Sequence, residues 1–164
     1  MSHSSAKPLI SVITPVFQTD PDLLKACLLS CYRQTDSNFI HIVIDNGSNE
    51  PQISQILEEY ESFAGNAVVL SSQEPLGIAG GTQRALDQAE TDYVAFLDHD
   101  DELVSDAIQT YNEILTAQPD IDVVYSDWDM INLGGEVISQ YRKPAWSPER
   151  LRGNMYLIHF LAIR

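Results

Sequence analysis

Four acids and a histidine stand together in Asp98-His99-Asp100-Asp101-Glu102, directly after the apolar run Tyr93-Val94-Ala95-Phe96-Leu97. Carboxylates this close raise one another's pKa unless a cation, hydrogen-bond donors or solvent stabilise their charge. Another acid, Asp45, follows the apolar run Phe39 to Ile44 and opens the turn Asp45-Asn46-Gly47-Ser48-Asn49. Magnesium-type cations use one or two carboxylates, several waters and the oxygens of a substrate phosphate, which suits a short acidic loop without a full protein cage. An EF-hand does not fit, because Leu103 stands where its loop needs glycine after Asp98-x-Asp100-x-Glu102. Zinc is poorly served too, since His99 has no soft partner nearby in sequence. A solvated acidic turn is the alternative reading of the same residues.

The elements that must position these groups follow from pattern. Leu9 to Phe17 is rich in β-branched residues and reads as the first strand. Asp20-Pro21-Asp22 then supplies a cap and an N-terminal proline for a helix to about Arg33, with Leu24, Cys27, Leu28 and Cys31 as its apolar stripe. Phe39 to Ile44 is a second strand, and Pro51 opens a helix carrying Ile53, Ile56, Leu57, Tyr60 and Phe63. Ala67 to Leu70 is the third strand. The glycine-rich stretch Pro75 to Arg84 enters a further helix; its glycines serve either tight helix–strand packing or close approach to an anion. Tyr93 to Leu97 is the fourth strand, and Leu103, Ala107, Ile108, Tyr111, Ile114 and Leu115 mark a helix that ends before Pro119.

Alternation of this kind specifies an α/β fold, a three-layer α/β/α arrangement on a mostly parallel sheet. In such sheets ligands bind outside the carboxyl ends of the strands, so Asp45 and the Asp98 to Asp101 loop are expected on one edge. Beyond Pro119, the segments Asp122 to Tyr125, Trp128 to Asn132 and Val137 to Tyr141 read as strands, the last two forming an antiparallel pair at the sheet edge around Gly134-Gly135. The tail from Pro144 to Arg164 is less regular.

The 164 residues fit one domain, expected over 9–164 after a flexible tail at 1–8. A net charge of −15 predicts repulsion from nucleic acid and anionic membranes. No run resembles a signal peptide or approaches membrane-spanning length, so a cytoplasmic location is expected, membrane-peripheral if a longer polypeptide or partner supplies the contact. Cys27 and Cys31 read as buried small apolar residues. His159, between Ile158 and Phe160, reads as a core histidine. A phosphoryl-accepting receiver domain is disfavoured, because Thr14-Pro15-Val16-Phe17-Gln18 offers no acidic pair after the first strand.

Taken in order, Ile10-Ser11-Val12-Ile13-Thr14-Pro15-Val16-Phe17, Ile42-Val43-Ile44-Asp45-Asn46-Gly47-Ser48, Gly77-Ile78 before a helix, and Phe96-Leu97-Asp98-His99-Asp100-Asp101-Glu102-Leu103 resemble the family 2 glycosyltransferases of GT-A fold. Val124-Tyr125-Ser126-Asp127-Trp128-Asp129 and Lys143-Pro144-Ala145-Trp146-Ser147-Pro148 further resemble the branch building bacterial surface polysaccharides, rhamnosyl-type transferases included. The resemblance covers nearly the whole chain after residue 8. It implies transfer of a sugar, with inversion, from a UDP- or dTDP-sugar to a glycan or lipid-linked glycan acceptor.

By that resemblance Thr14, Pro15, Val16 and Phe17 line the nucleotide base and Asp45 accepts a hydrogen bond from the pyrimidine. Asp98 and Asp100 form the DxD motif and hold Mg²⁺ or Mn²⁺, with Asp98 also near the ribose and Asp101 as a supporting acid. Gly80, Gln83, Arg84 and His99 complete the implied donor-binding set. Asn46 and Gln83 depart from the acid and the asparagine many members carry at these positions. Members usually supply the general base from an acidic motif downstream of the segment resembling Tyr156 to Arg164, so the base is expected beyond Arg164 and a longer polypeptide with it. Asp127 and Asp129 are the candidates within the chain, with structural or acceptor-positioning roles placed ahead of proton abstraction. A donor-binding module incomplete on its own is the alternative function.

Overall fold

A computed structural model describes residues 7–164. The expected tail at 1–8 thus lies outside the described residues, apart from Lys7 and Pro8, which join no regular element. Strand β1 (Ile10–Val16) is the centre of the molecule, with Ile10, Val12, Ile13 and Val16 fully buried. Around it run α1 (Pro21–Tyr32), β2 (Ile40–Asp45), α2 (Pro51–Phe63), β3 (Ala67–Ser71), α3 (Gly77–Leu86), β4 (Tyr93–Phe96) and α4 (Ala107–Ala117). Then come β5 (Val123–Tyr125), β6 (Trp128–Ile131), β7 (Val137–Tyr141), α5 (Pro148–Gly153) and β8 (Leu161–Ile163). The main sheet has the order β3-β2-β1-β4-β8-β5.

Its first four strands are parallel, with Val16 opposite Asp45 and Ile13 opposite Phe96. Alternate side chains of β1 face opposite layers, as the two-residue strand period requires. Val12 and Val16 pack with α1, α2 and α4 through Cys27, Leu28, Ile53, Leu57 and Ile108, while Ile13 packs with Ile42, Ile44 and Ala85 of α3. Cys27 and Cys31 are free and buried, and burial pushes both thiols up, Cys31 to about 12, so neither is a reactive thiolate.

Two features of the C-terminal part differ from the sequence expectation. β8 enters the sheet antiparallel between β4 and β5, in a tail expected to be irregular. Three residues are too few to show a periodic pattern, and its pairing with two non-adjacent strands is entirely non-local. The β6–β7 pair forms its own two-stranded sheet rather than an edge of the main one. The Asp127 carboxylate closes the base of this hairpin by accepting the Lys143 backbone N–H at 2.7 Å and facing Arg142 at 3.6 Å. The main-sheet edge is already filled by β5.

A third difference bears on the acidic loop. Leu103 precedes α4 instead of opening it, and residues 97–106 form an irregular connection tied to the end of α1. Gln34 uses both ends of its buried amide there, donating to Val104 O at 2.8 Å and accepting from Ile108 N–H at 3.0 Å. Ser30 Oγ accepts from Leu103 N–H at 3.0 Å. The loop that carries the acids is therefore anchored by polar side chains that a search for apolar periodicity passes over.

Candidate functional site

The carboxyl ends of β1, β2 and β4 converge because the strands are parallel and in close register. Asp45, the last residue of β2, is buried, and its Oδ1 accepts the Ser48 N–H at 2.8 Å. That bond closes an Asx-type turn and holds the carboxylate at the sheet edge. Asn46 N–H donates to Val16 O at 2.9 Å, so the ends of β1 and β2 are locked together.

The Asn46 side chain shows why an amide serves here. Nδ2 donates to Gly77 O and Oδ1 accepts from Leu76 N–H, both at 3.0 Å, so one group satisfies a donor and an acceptor at the entry to α3. A carboxylate cannot do both. Gly81 makes room for it, since a Cβ there would lie 2.9 Å from Asn46 Cγ. Gly47 does the same for the neighbouring loop, with φ of +82° and space for a Cβ only 2.8 Å from the Pro75 nitrogen. The glycines at residues 47 and 81 thus serve close packing. Asn46→Ala is expected to lower stability by about 2–3 kcal/mol by orphaning both backbone groups; an unchanged urea midpoint would show that the loop is held by other contacts.

The stretch Thr14 to Phe17, expected to line a nucleotide base, is divided by the strand period. Thr14 is fully buried and turned inward, its Oγ1 3.0 Å from His41 Nε2, while Val16 is buried and Pro15 half-buried. Phe17 is exposed at the end of β1. On α3, Gly80 is half-buried, Gln83 donates to Asp87 Oδ1 at 2.8 Å along the exposed side of the helix, and Arg84 is exposed.

The acidic loop turns tightly after β4: Asp101 N–H donates to Asp98 O at 3.1 Å, and the Cys27 thiol reaches the same carbonyl at 3.5 Å. This turn brings the Asp98 and Asp101 carboxylates together, and His159 joins them from the segment before β8. One ligand atom from each of Asp98, Asp101 and His159 lies within 4.8 Å of the others. His159 Nδ1 donates to Asp101 Oδ2 at 2.9 Å. Asp100 projects away, exposed, with Oδ1 3.9 Å from His99 Nδ1. Burial raises the Asp101 carboxyl pKa; the bond from His159 opposes the rise, and the charges of Asp98 and Asp100 add to it.

His159 therefore corrects the sequence reading of a core histidine. Its side chain is 32% exposed and bonded to an acid of the loop. The reason is backbone geometry: His159 and Phe160 both take left-handed φ, 60° and 42°, which sends the phenyl ring into the core and the imidazole to the sheet edge. The true core histidine is His41, whose ring bridges Thr14 and Tyr60. Sequence offered no signal for the His159–Asp101 pairing across 58 positions. Asp127 and Asp129 lie at the hairpin base instead, held by Arg142 at 3.6 and 3.1 Å.

Two carboxylates and an imidazole so disposed can bind a divalent cation, with open positions for a ligand. Among the described residues no helix is long and apolar enough to cross a membrane.

Comparison with known proteins agrees with this fold. The O-antigen biosynthesis protein RfbC of Myxococcus xanthus is 31% identical over the 164 residues of the chain, which spans 13% of that relative's length. The structure of S. aureus TarS 1–349 in complex with UDP-GlcNAc superposes with a TM-score of 0.64 at 26% identity, covering 71% of this chain and 33% of that one. A mannosyltransferase from Pyrobaculum calidifontis shares the fold, with a TM-score of 0.60 at 19% identity over 78% of this chain and 37% of its own. These neighbours are GT-A glycosyltransferases, and the mostly parallel sheet described above is that fold. The model of "Glycosyl transferase family 2" matches residues 11–161, and the chain belongs to that family.

Proposed function

We propose that this domain binds a UDP- or dTDP-sugar together with Mg²⁺ or Mn²⁺ and transfers the sugar, with inversion, to a glycan or lipid-linked glycan acceptor. The observation that carries the reading is the convergence of Asp98, Asp101 and His159 on the same sheet edge at which β2 ends in Asp45. Asp98, Asp101 and His159 would hold the cation, and Asp100, exposed and facing His99, stands outside that set. When bound, the cation supplies Lewis-acid stabilisation of negative charge on the departing nucleoside diphosphate.

The protein groups divide the remaining work. Asp45, held by Ser48, accepts a hydrogen bond from the pyrimidine ring, and the exposed face of Phe17 offers an apolar surface beside it. Thr14 contributes backbone only, its hydroxyl being committed to His41. Asp101 orients the His159 imidazole, as carboxylates commonly do for ligating histidines. Neither Asp127 nor Asp129 is assigned as the base, because each is engaged by Arg142.

That engagement favours a second reading, a donor-binding module that does not complete transfer alone. Calorimetry addresses the first part: UDP- and dTDP-sugars are expected to bind with Mn²⁺ or Mg²⁺ present and to be lost with chelator. If neither binds in the presence of either cation, the donor assignment fails. Product assays with donor and acceptor glycans then separate the two readings, since turnover by this chain excludes the binding-only one.

A further inference from the structure

We infer that Lys143 is a positioning residue, holding the left-handed turn that delivers His159 to the acidic loop. The inference rests on the proposed cation role of His159. Two consecutive non-glycine residues with positive φ are sterically unfavourable, so the surroundings must enforce the turn. At its far end, the Tyr111 hydroxyl donates to Phe160 O at 2.7 Å. At its near end, Lys143 Nζ donates to the carbonyls of both Ile158 and His159, the latter at 3.2 Å.

Those two carbonyls are successive and share one ammonium, which compensates their mutual repulsion. Among the described residues no carboxylate pairs with Lys143, so its charge is directed at the turn. Its own position is set from the hairpin. The Lys143 backbone N–H is held by Asp127, and Nζ lies 5.9 Å from the centre of the Tyr125 ring. Trp128 of β6 packs its ring 4.8 Å from the His159 ring, centre to centre, and stacks on Tyr141 of β7 at 3.8 Å.

The hairpin thus grips His159 twice, by its backbone through Lys143 and by its ring through Trp128. This gives Asp127 a function that its sequence neighbourhood did not disclose: it seats Lys143. Without the ammonium the turn relaxes and the imidazole leaves Asp101.

Titration of the protein with Mn²⁺ alone, followed by calorimetry, tests the inference as a double-mutant cycle. Lys143→Met is expected to weaken Mn²⁺ binding about tenfold, the lower end for residues that orient a metal-ligating histidine. In a His159→Ala background the same change is expected to have less than about a twofold effect, since Lys143 acts through His159. Lys143→Arg, which keeps the charge and two donors, is expected to restore most of the loss. An equal effect of Lys143→Met in both backgrounds, or none in the wild type, overturns the inference.

NMR of the His159 ring separates this from the cation role. If His159→Ala leaves Mn²⁺ binding intact while Asp98→Asn abolishes it, the ligand role of His159 fails, and the inference with it. If His159→Ala weakens Mn²⁺ binding but the ring resonances stay in place in Lys143→Met and in Lys143→Gln, only the positioning claim fails.

Discussion

Asp98→Asn and Asp101→Asn are each expected to weaken cation-dependent binding of the donor by at least about 100-fold, equivalent to about 2.7 kcal/mol. The two carboxylates and His159 place their ligand atoms within 4.8 Å of one another, and removing one anion leaves the other two groups with too little charge to displace the waters of a divalent ion. Asp101→Asn acts twice, since it also removes the acceptor for His159 Nδ1. Asp100→Asn is the informative comparison. Its carboxylate is exposed and turned toward His99, so a loss below about tenfold is expected if the loop keeps its present turn. A loss as large as that of Asp98→Asn shows instead that the loop rotates Asp100 inward on binding. Full binding by Asp101→Asn returns the ligand set to Asp98 and Asp100, the pair implied by the DxD pattern. Calorimetric titration of a UDP-sugar at several Mn²⁺ concentrations, with circular dichroism to verify folding, reads all three variants.

Acid is expected to destabilise the fold through His41. The imidazole is fully buried between Thr14 and Tyr60, and burial lowers its pKa from 6.5 to about 3. The unfolded chain takes up a proton near pH 6.5, whereas the folded one cannot until about pH 3. The contribution of neutral His41 is therefore intact above pH 6.5 and declines as the pH falls through that window, by at most about 1.4 kcal/mol per unit. At pH 5 the loss is about 2 kcal/mol, a sizeable share of a typical domain's stability. Urea unfolding between pH 7.5 and pH 5 measures the slope. His41→Gln, which cannot titrate but retains an amide for Thr14 or Tyr60, is expected to be less stable at pH 7.5 and flatter with pH. Parallel slopes for the two proteins would locate the acid sensitivity elsewhere.

Both expectations draw on residues that sequence and structure reveal to different degrees. The strands and helices up to α4 lay within a few residues of their expected positions, because each carries its own pattern: β-branched runs for β1 and β2, an apolar stripe behind Pro21 and Pro51 for α1 and α2. That parallel order alone places Asp45 and the Asp98 loop on one edge, since every parallel strand ends on the same side of the sheet. The acids at strand ends and the glycines at tight turns were legible as local chemistry.

What the chain could not show in one dimension are the contacts that bridge distant segments. β8 is three residues that become a strand only between β4 and β5, and the β6–β7 hairpin is separate because Asp127 and Arg142 close its base. His41 looks like any strand residue until Thr14 and Tyr60 flank it.

Sequence by itself determined the α/β layers, the acidic edge and the glycine turns, because propensity, apolar period and turn chemistry act over a few residues. Tertiary structure alone decided that Asp101 and His159 are partners, that Asn46 locks the loop before α3, and that Lys143 holds the turn at residues 158–160. Each of those bonds joins groups between 15 and 58 positions apart, and only the folded backbone sets their distance.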